Sequence, residues 1–372
     1  MKKNITVLAG DGIGPEVMNQ AMKVIEAVNS GFGHEFTLNK ALMGAVSIDQ
    51  TGEPITLETL ELCEKSDAVL LGAIGDPKYD NNPELTVRPE QGLLKLRKTL
   101  ELFSNIRPIS TYDILKEVSP VKTRLLENVD MVIYRELTGG IYFGEKTLSA
   151  DKNTATDLCS YSTHEISRIA YQAFEAASNR RNKLTLVDKA NVLETSRLWR
   201  KVVQDISKEY PNVKVDYLFV DNAAMQIIQA PASFDVILTE NMFGDIISDL
   251  ASVITGSLGM LASASIGNKT ALFEPIHGSY PQAKGLDIAN PMATILSVAM
   301  MYDHFKLVEE AALIRKAIDW AIDNKVVTQD IAGDFEAQPC SKVGDMIAFF
   351  LEEQGNVEMK NDSVNMSLNC II

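Results

Sequence analysis

The chain is poor in cysteine, and the four it has (Cys63, Cys159, Cys340 and Cys370) are scattered over 372 residues, with neither a C-x-x-C pair nor a zinc-ligand spacing. That excludes a disulfide framework and a structural zinc, and a reducing cytoplasm is the expected setting. Basic charge is also short: 35 Lys and Arg stand against 50 Asp and Glu, for a net charge of −15. A nucleic-acid surface and an anionic membrane both select basic patches, so neither is an expected partner, and any anionic ligand has to be held by local cations. No apolar run approaches membrane-spanning length, and the run ITVLA near the start is cut off by Asp11, too short for a secretory leader. Also missing are the dinucleotide pattern G-x-G-x-x-G, the phosphate loop G-x-x-x-x-G-K-[ST] and the nucleophile elbow G-x-S-x-G. The four histidines (His34, His164, His277, His304) show no metal-ligand spacing.

The length suits about two domains. The N-terminal half alternates short β-rich runs (ITVLAG, DAVLLGAIG) with helical patterns (PEVMNQAMKVIEAV, TLETLELCEKS), which predicts an α/β domain with a largely parallel sheet. VDMVIYRE, KLTLVDKA, VKVDYLFVD and FDVILTEN continue the strands, and beyond about residue 290 the pattern turns helical. No Pro/Gly/Ser-rich linker separates two halves, so the chain is expected to cross between its domains more than once.

Within this frame several polar groups stand out. TENMFGDIISDLASV (239–253) reads as a buried helix, yet Asp245 and Asp249 lie four residues apart on one face of it, a costly pair of like charges unless a cation compensates them. With the isolated Asp221 of YLFVDNAAM they make an oxygen-donor set suited to Mg²⁺ or Mn²⁺. A helix N-cap is the plainer reading of Asp245 after Gly244, but it leaves Asp249 unexplained. Arg88 and Arg97 in TVRPEQGLLKLRK, Arg107 at the end of an apparent strand in SNIRP, and Arg135 in YRELTGG could converge on a di- or tricarboxylate, although any one of them alone reads as a solvated residue. Lys189 ends a strand, where α/β sheets place functional groups, and surface solvation is its plain alternative. Tyr142, between glycines in TGGIYFGEK, could be a hairpin residue only. Gly10–Glu16, GDGIGPE, reads first as a tight strand-to-helix turn.

Taken in order, GDGIGPE at 10–16, RPEQGLLKLRK at 88–98, SNIRP at 104–108, YRELTGGIYFGEK at 134–146, DKANVL at 188–193, VDNAAMQ at 220–226, TENMFGDIISDLAS at 239–252, GSLGMLASAS at 256–265 and EPIHGS at 274–279 resemble the β-decarboxylating dehydrogenases of the isocitrate/isopropylmalate dehydrogenase family. The resemblance reaches to about residue 350. It implies an α/β fold that is not of the Rossmann type, with two domains sharing a central mixed sheet: residues 1–103 with 256–352 would bind the cofactor, 104–255 would supply substrate, metal and dimer contacts, and 353–372 would be a loosely ordered tail.

It also implies a homodimer with shared active sites, NAD and one Mg²⁺ or Mn²⁺ per site. Arg97, Arg107 and Arg135 correspond to the substrate-carboxylate clamps, Asp221, Asp245 and Asp249 to the metal ligands, and Tyr142 and Lys189 to the proton-transfer pair, with Lys189 and Asp221 contributed by the neighbouring subunit. Asp221 and Glu90 would also border the substrate. Gly75, Glu90, Glu274, His277, Gly278, Ser279, Gln282, Ile288, Ala289 and Asn290 fall at the NAD-binding positions. Leu93 and Leu94 stand where isocitrate enzymes place a serine and an asparagine, an apolar wall suited to an isopropyl group, so the implied reaction is oxidative decarboxylation of 3-isopropylmalate in leucine biosynthesis. Isocitrate, homoisocitrate, tartrate or D-malate oxidation and a non-catalytic regulatory homologue are the alternatives. One departure stands out: NAD-preferring relatives carry an aspartate where this chain has Gln282, flanked by an unusual Tyr280 and Lys284. An amide can bond the adenosine 2′-hydroxyl but does not repel a 2′-phosphate.

Overall fold

The computed structural model describes residues 1–80 and 85–358. Its strands are β1 (Lys2–Gly10), β2 (Glu35–Ala41), β3 (Ala68–Ala73), β4 (Ser104–Ser110), β5 (Asp130–Glu136), β6 (Lys146–Leu148), β7 (Ala155–Asp157), β8 (Lys183–Asp188), β9 (Lys214–Phe219), β10 (Val236–Thr239), β11 (Ala262–Ile266) and β12 (Ala271–Pro275). Ten of them form one sheet in the order β2-β1-β3-β12-β11-β4-β5-β10-β8-β9, and β6 pairs with β7 in a separate hairpin.

The sheet is mixed. One parallel set, β2-β1-β3-β12, comes from the two ends of the chain, and another, β5-β10-β8-β9, comes from its middle. They are joined through antiparallel β11 and β4, so the chain passes from the first set to the second and back again. We propose that the two domains divide at this junction, which accounts for the absent linker.

Burial explains the residue choice. Every residue of AVLLGA in β3 is buried, and so is all of DMVIYRE in β5 except its first, as expected of strands covered by helices on both faces. The helix Gly14–Phe32 starts on Pro15, buries Met18, Ala21, Val24, Ile25 and Val28 along one stripe, and packs against the helix Cys340–Glu358. Met292–His304 is buried on nearly all sides beneath β11 and β12. The helix Cys340–Glu358 runs past residue 353, where the expected tail begins; positions 359–372, Cys370 among them, lie outside the described residues. No helix among the described residues is long and apolar enough to cross a membrane.

The GDGIG turn joins three segments. Gly12 adopts φ +56°, and a Cβ there would stand 1.9 Å from the Ser279 carbonyl oxygen, so only glycine fits. Asp11, 5% exposed, accepts hydrogen bonds from the backbone amides of Ala45 (2.9 Å), Val46 (3.0 Å) and Gly75 (2.9 Å). Burial raises its pKa against those three bonds. Asp11→Ala should therefore leave buried amides unpaired and cost at least about 2 kcal/mol in urea unfolding. Asp11→Asn, which keeps one acceptor oxygen, should lose less; equal midpoints for wild type and alanine variant would refute this account of the turn.

Candidate active site

The site is built on the β4–β5 pair. In the antiparallel register Asn105 lies opposite Arg135 and Arg107 opposite Ile133, which brings both arginines to one face of the sheet. Arg107 lies in the middle of β4 and not at its end, as expected from sequence. The helix Asn241–Ser252 crosses this face. Gly244 lies within its first turns, so Asp245 is interior to the helix and the N-cap reading is excluded.

The aspartates face the arginines. Arg107 donates from Nε to Asn105 Oδ1 (2.8 Å) and from Nη1 to Ser248 Oγ (2.6 Å) and Asp249 Oδ1 (3.1 Å). Arg135 donates from Nη1 to Asp245 Oδ1 and from Nε and Nη2 to Asn241. Tyr142, 40% exposed, donates its hydroxyl to Asp245 Oδ2 (2.8 Å). It belongs to a short 3₁₀ turn, Gly140–Tyr142, ahead of the β6–β7 hairpin, so the hairpin reading is replaced. Burial first, and then the Asp245 bond, raises the pKa of its phenol. Burial, reinforced by neighbouring Arg107, holds the Arg135 guanidinium down at about 10, so it stays charged at neutral pH. Within one chain it is thus two arginines that compensate the aspartates.

Arg97 lies near the end of the helix Pro89–Thr99 and donates from Nη2 to Glu274 Oε1 (2.9 Å), while its buried Nε has no partner among the described residues. Leu93 and Leu94 precede it by one turn on the same helix, Leu93 half-buried and Leu94 exposed. Glu90 begins that helix. Gly75 has φ +121°, and a Cβ there would lie 3.1 Å from Glu90 Oε1 and 3.6 Å from Ser279 Oγ, so these three residues form one open cradle. The ring of His277 contacts the Gly278 carbonyl through Nδ1 (2.9 Å), and its Nε2 is buried without a partner among the described residues. Burial depresses its pKa. Asn290 caps Met292–His304 by accepting from Met292 N (3.0 Å) and donates to Asp330 (3.0 Å); Ala289 is buried, and Ile288 and Gln282 are exposed.

Lys189 and Asp221 form a group of their own. Lys189 directly follows β8, Asp221 lies in the first turn of the helix Val220–Gln229, and Lys189 Nζ donates to Asp221 Oδ1 (2.5 Å), which lowers the pKa of that carboxylate. Among the described residues of one chain, no three His, Cys, Asp or Glu side chains converge as a metal site. Asp221 therefore does not join Asp245 and Asp249 within a chain.

The family model for isocitrate/isopropylmalate dehydrogenase matches residues 4–347. The chain belongs to that family. A 3-isopropylmalate dehydrogenase of Bacteroides fragilis is 54% identical over 331 residues, spanning 89% of this chain and 93% of the relative. One from Priestia megaterium is 49% identical over 337 residues, spanning 89% and 91%. The crystal structure of isocitrate dehydrogenase from Methylococcus capsulatus superposes with a TM-score of 0.83 at 33% identity, over 94% of this chain and 99% of that one.

The residues fit the groups that the family implies. Asp245 and Asp249 offer hard oxygen donors one turn apart, and the Gly75 cradle and the unpartnered His277 Nε2 offer room and a polar contact for a nucleotide. Sequence reasoning missed Asn241, Asn105 and Ser248, which hold the arginines. It also missed Glu240, buried just before the Asn241–Ser252 helix and raised to about 7 mainly by burial. For Asn241 a signal existed, since it precedes Asp245 by the same four residues that separate Asp245 from Asp249.

Because arginines face both carboxylates, relief of like-charge repulsion does not govern the metal-free protein. Asp245→Asn should destabilise it by about 1–3 kcal/mol, by weakening the charged contact to buried Arg135. Asp249→Asn, at a more exposed position, should cost less. Urea unfolding in excess chelator checks both, and a more stable Asp245→Asn protein would contradict the pairing.

Proposed function

We propose that the chain oxidises 3-isopropylmalate at its 2-hydroxyl and decarboxylates the product to 4-methyl-2-oxopentanoate with reduction of NAD, a step of leucine biosynthesis. The observation that carries this reading is the convergence of Arg107, Arg135, Asp245, Asp249 and Tyr142 on one face of the sheet. Names of relatives at about half identity agree with it.

On this reading Arg97, Arg107 and Arg135 bind the two carboxylates, and Leu93 and Leu94 receive the isopropyl group. Gly75, Glu90, Glu274, the His277–Ser279 turn, Gln282 and the Ile288–Asn290 segment would hold NAD, which would supply the acceptor for the hydride of C2. Asp221, Asp245 and Asp249 would hold Mg²⁺ or Mn²⁺, which would supply Lewis acidity at the substrate oxygens. Lys189 removes the hydroxyl proton, and after CO₂ leaves from C3 with its bonding electrons remaining on the substrate, Tyr142 returns a proton to C3. A silent regulatory homologue would not need this set, and all of it is present.

A homodimer completes the site, with Lys189 and Asp221 of one chain facing Tyr142, Asp245 and the arginines of the other. What supports it is that these two groups stay apart within a chain, while large apolar side chains are exposed beside them: Val192 near Lys189, Met225 on the Asp221 helix and Ile246 on the Asp245 helix. A cytoplasmic setting agrees with Cys63, Cys159 and Cys340, all free thiols.

The direct test compares kcat/KM for 3-isopropylmalate, isocitrate and tartrate with NAD and Mg²⁺ or Mn²⁺. The isopropyl substrate should lead, and excess chelator should abolish turnover; an equal or higher value on isocitrate refutes the substrate assignment.

The shared site is tested by mixing. Tyr142→Phe and Lys189→Ala should each cripple both sites of a homodimer, but a heterodimer of the two has one site with both defects and one with neither. Co-refolding equal amounts should give about half heterodimers, hence about a quarter of the wild-type active sites, whereas each variant refolded alone stays inactive. No regained activity, with heterodimers verified by mass spectrometry, would place Tyr142 and Lys189 in the same chain's site.

A further inference from the structure

We propose that Asn241 is a positioning residue for this reaction, the socket that aims Arg135 at a substrate carboxylate and ties it to the turn carrying Tyr142; the proposal rests on the functional reading above. Asn241 is 1% exposed, and a buried amide is costly unless its polar atoms are bonded. Here they all are. Its carbonyl oxygen accepts from Arg135 Nε (2.9 Å), and its side-chain Oδ1 accepts from Arg135 Nη2 (2.9 Å) and Nε (3.2 Å). Its Nδ2 donates to the Gly139 carbonyl (3.2 Å), next to the Gly140–Tyr142 turn, and its backbone N–H, which has no partner inside the helix it opens, donates to Tyr161 Oη (3.0 Å).

The arrangement leaves Arg135 oriented in a particular way. A guanidinium carries five N–H groups. Asn241 engages Nε–H and one N–H of Nη2, and Asp245 engages one of Nη1. Among the described residues, one N–H on each terminal nitrogen is left over, a pair that matches the two oxygens of a carboxylate. An apolar side chain at position 241 would fill the space, but it would leave the head of the arginine free to rotate.

Gly244 makes room for the same side chain. A Cβ there would stand 2.5 Å from Arg135 Cγ and 2.8 Å from Arg135 Cβ, atoms at the root of the side chain that cannot swing aside without shifting β5. Alanine at 244 favours the helix by propensity yet displaces the arginine, so it probes aim separately from folding.

The experiment measures binding of 3-isopropylmalate with Mg²⁺ by calorimetry, together with KM for 3-isopropylmalate and for NAD, in wild type, Asn241→Ala, Asn241→Asp and Gly244→Ala, with circular dichroism as the fold check. Asn241→Ala and Gly244→Ala should each weaken 3-isopropylmalate about tenfold or more while KM for NAD stays near its wild-type value. Asn241→Asp keeps an acceptor oxygen for Arg135, adds a negative charge beside it and replaces the donor to Gly139 by an oxygen that repels that carbonyl, so its substrate affinity should fall less than in Asn241→Ala while kcat falls with the loosened Tyr142 turn. Folded Asn241→Ala with unchanged substrate affinity, or with both KM values rising together, overturns the proposal. If that variant does not fold, unchanged substrate affinity in Gly244→Ala and an unchanged kcat in Asn241→Asp overturn it instead. The functional reading fails separately, through a wild type that binds 3-isopropylmalate but does not turn it over; a wild type that does not bind it overturns both.

Discussion

Two guanidinium groups buried side by side are what the rest of the site has to satisfy. Arg107 and Arg135 stand on adjacent strands, and each loses hydration that its partners must replace. Asp245 and Asp249 supply the opposing charge, and Asn105, Asn241 and Ser248 take up further N–H groups. On the proposed reading, a divalent cation drawing the two aspartates toward itself would leave both arginines short of negative charge unless an anion arrived with it. A dicarboxylate brings that charge. Metal and substrate are thereby tied to the same set of ion pairs, and an acidic protein acquires a local receptor for an anion.

The sheet explains why the arginines meet there. The parallel strands from the chain ends and those from its middle are joined by antiparallel β11 and β4, so neighbouring positions on β4 and β5 come from segments on one side of the junction while Glu274 of β12 reaches Arg97 from the other. Asp11 does a comparable service for the side proposed to hold the nucleotide, because one carboxylate draws Ala45, Val46 and the Gly75 loop onto the turn after β1, and Ile13 N–H bonds the Ser279 carbonyl (2.8 Å). Three segments far apart in sequence are fixed to each other before any ligand binds.

The α/β class, the terminal helices and the site residues of the Asp245 helix were legible because they rest on local signals: periodicity, glycine turns and motif order. The direction of Arg135 was not. Its strand is buried on both faces, so DMVIYRE shows no alternation from which a face could be assigned, and only the pairing with Asn105 settles it. The N-cap alternative for Asp245 arose because Gly244 looks like a boundary, whereas it is an interior glycine required by the Arg135 stem. The Lys189–Asp221 bond spans 32 residues and two elements, a distance over which no sequence periodicity speaks.

On the proposed reading, that bond also bears on how the site is divided. Arg107 and Arg135 are held by buried partners with several bonds apiece, a geometry that changes little without repacking the helix above them. Lys189 and Asp221 form an exposed pair, in which water competes for both charges and the interaction is weak enough to exchange for other partners. One half of the constellation is therefore rigid and preorganised for anions, and the other is available. A second chain presenting its Lys189 and Asp221 would exchange a weak, hydrated contact for one shared with metal and substrate, whereas the reverse arrangement, with the buried arginines travelling to meet a partner, would first have to expose charges that the fold has already compensated.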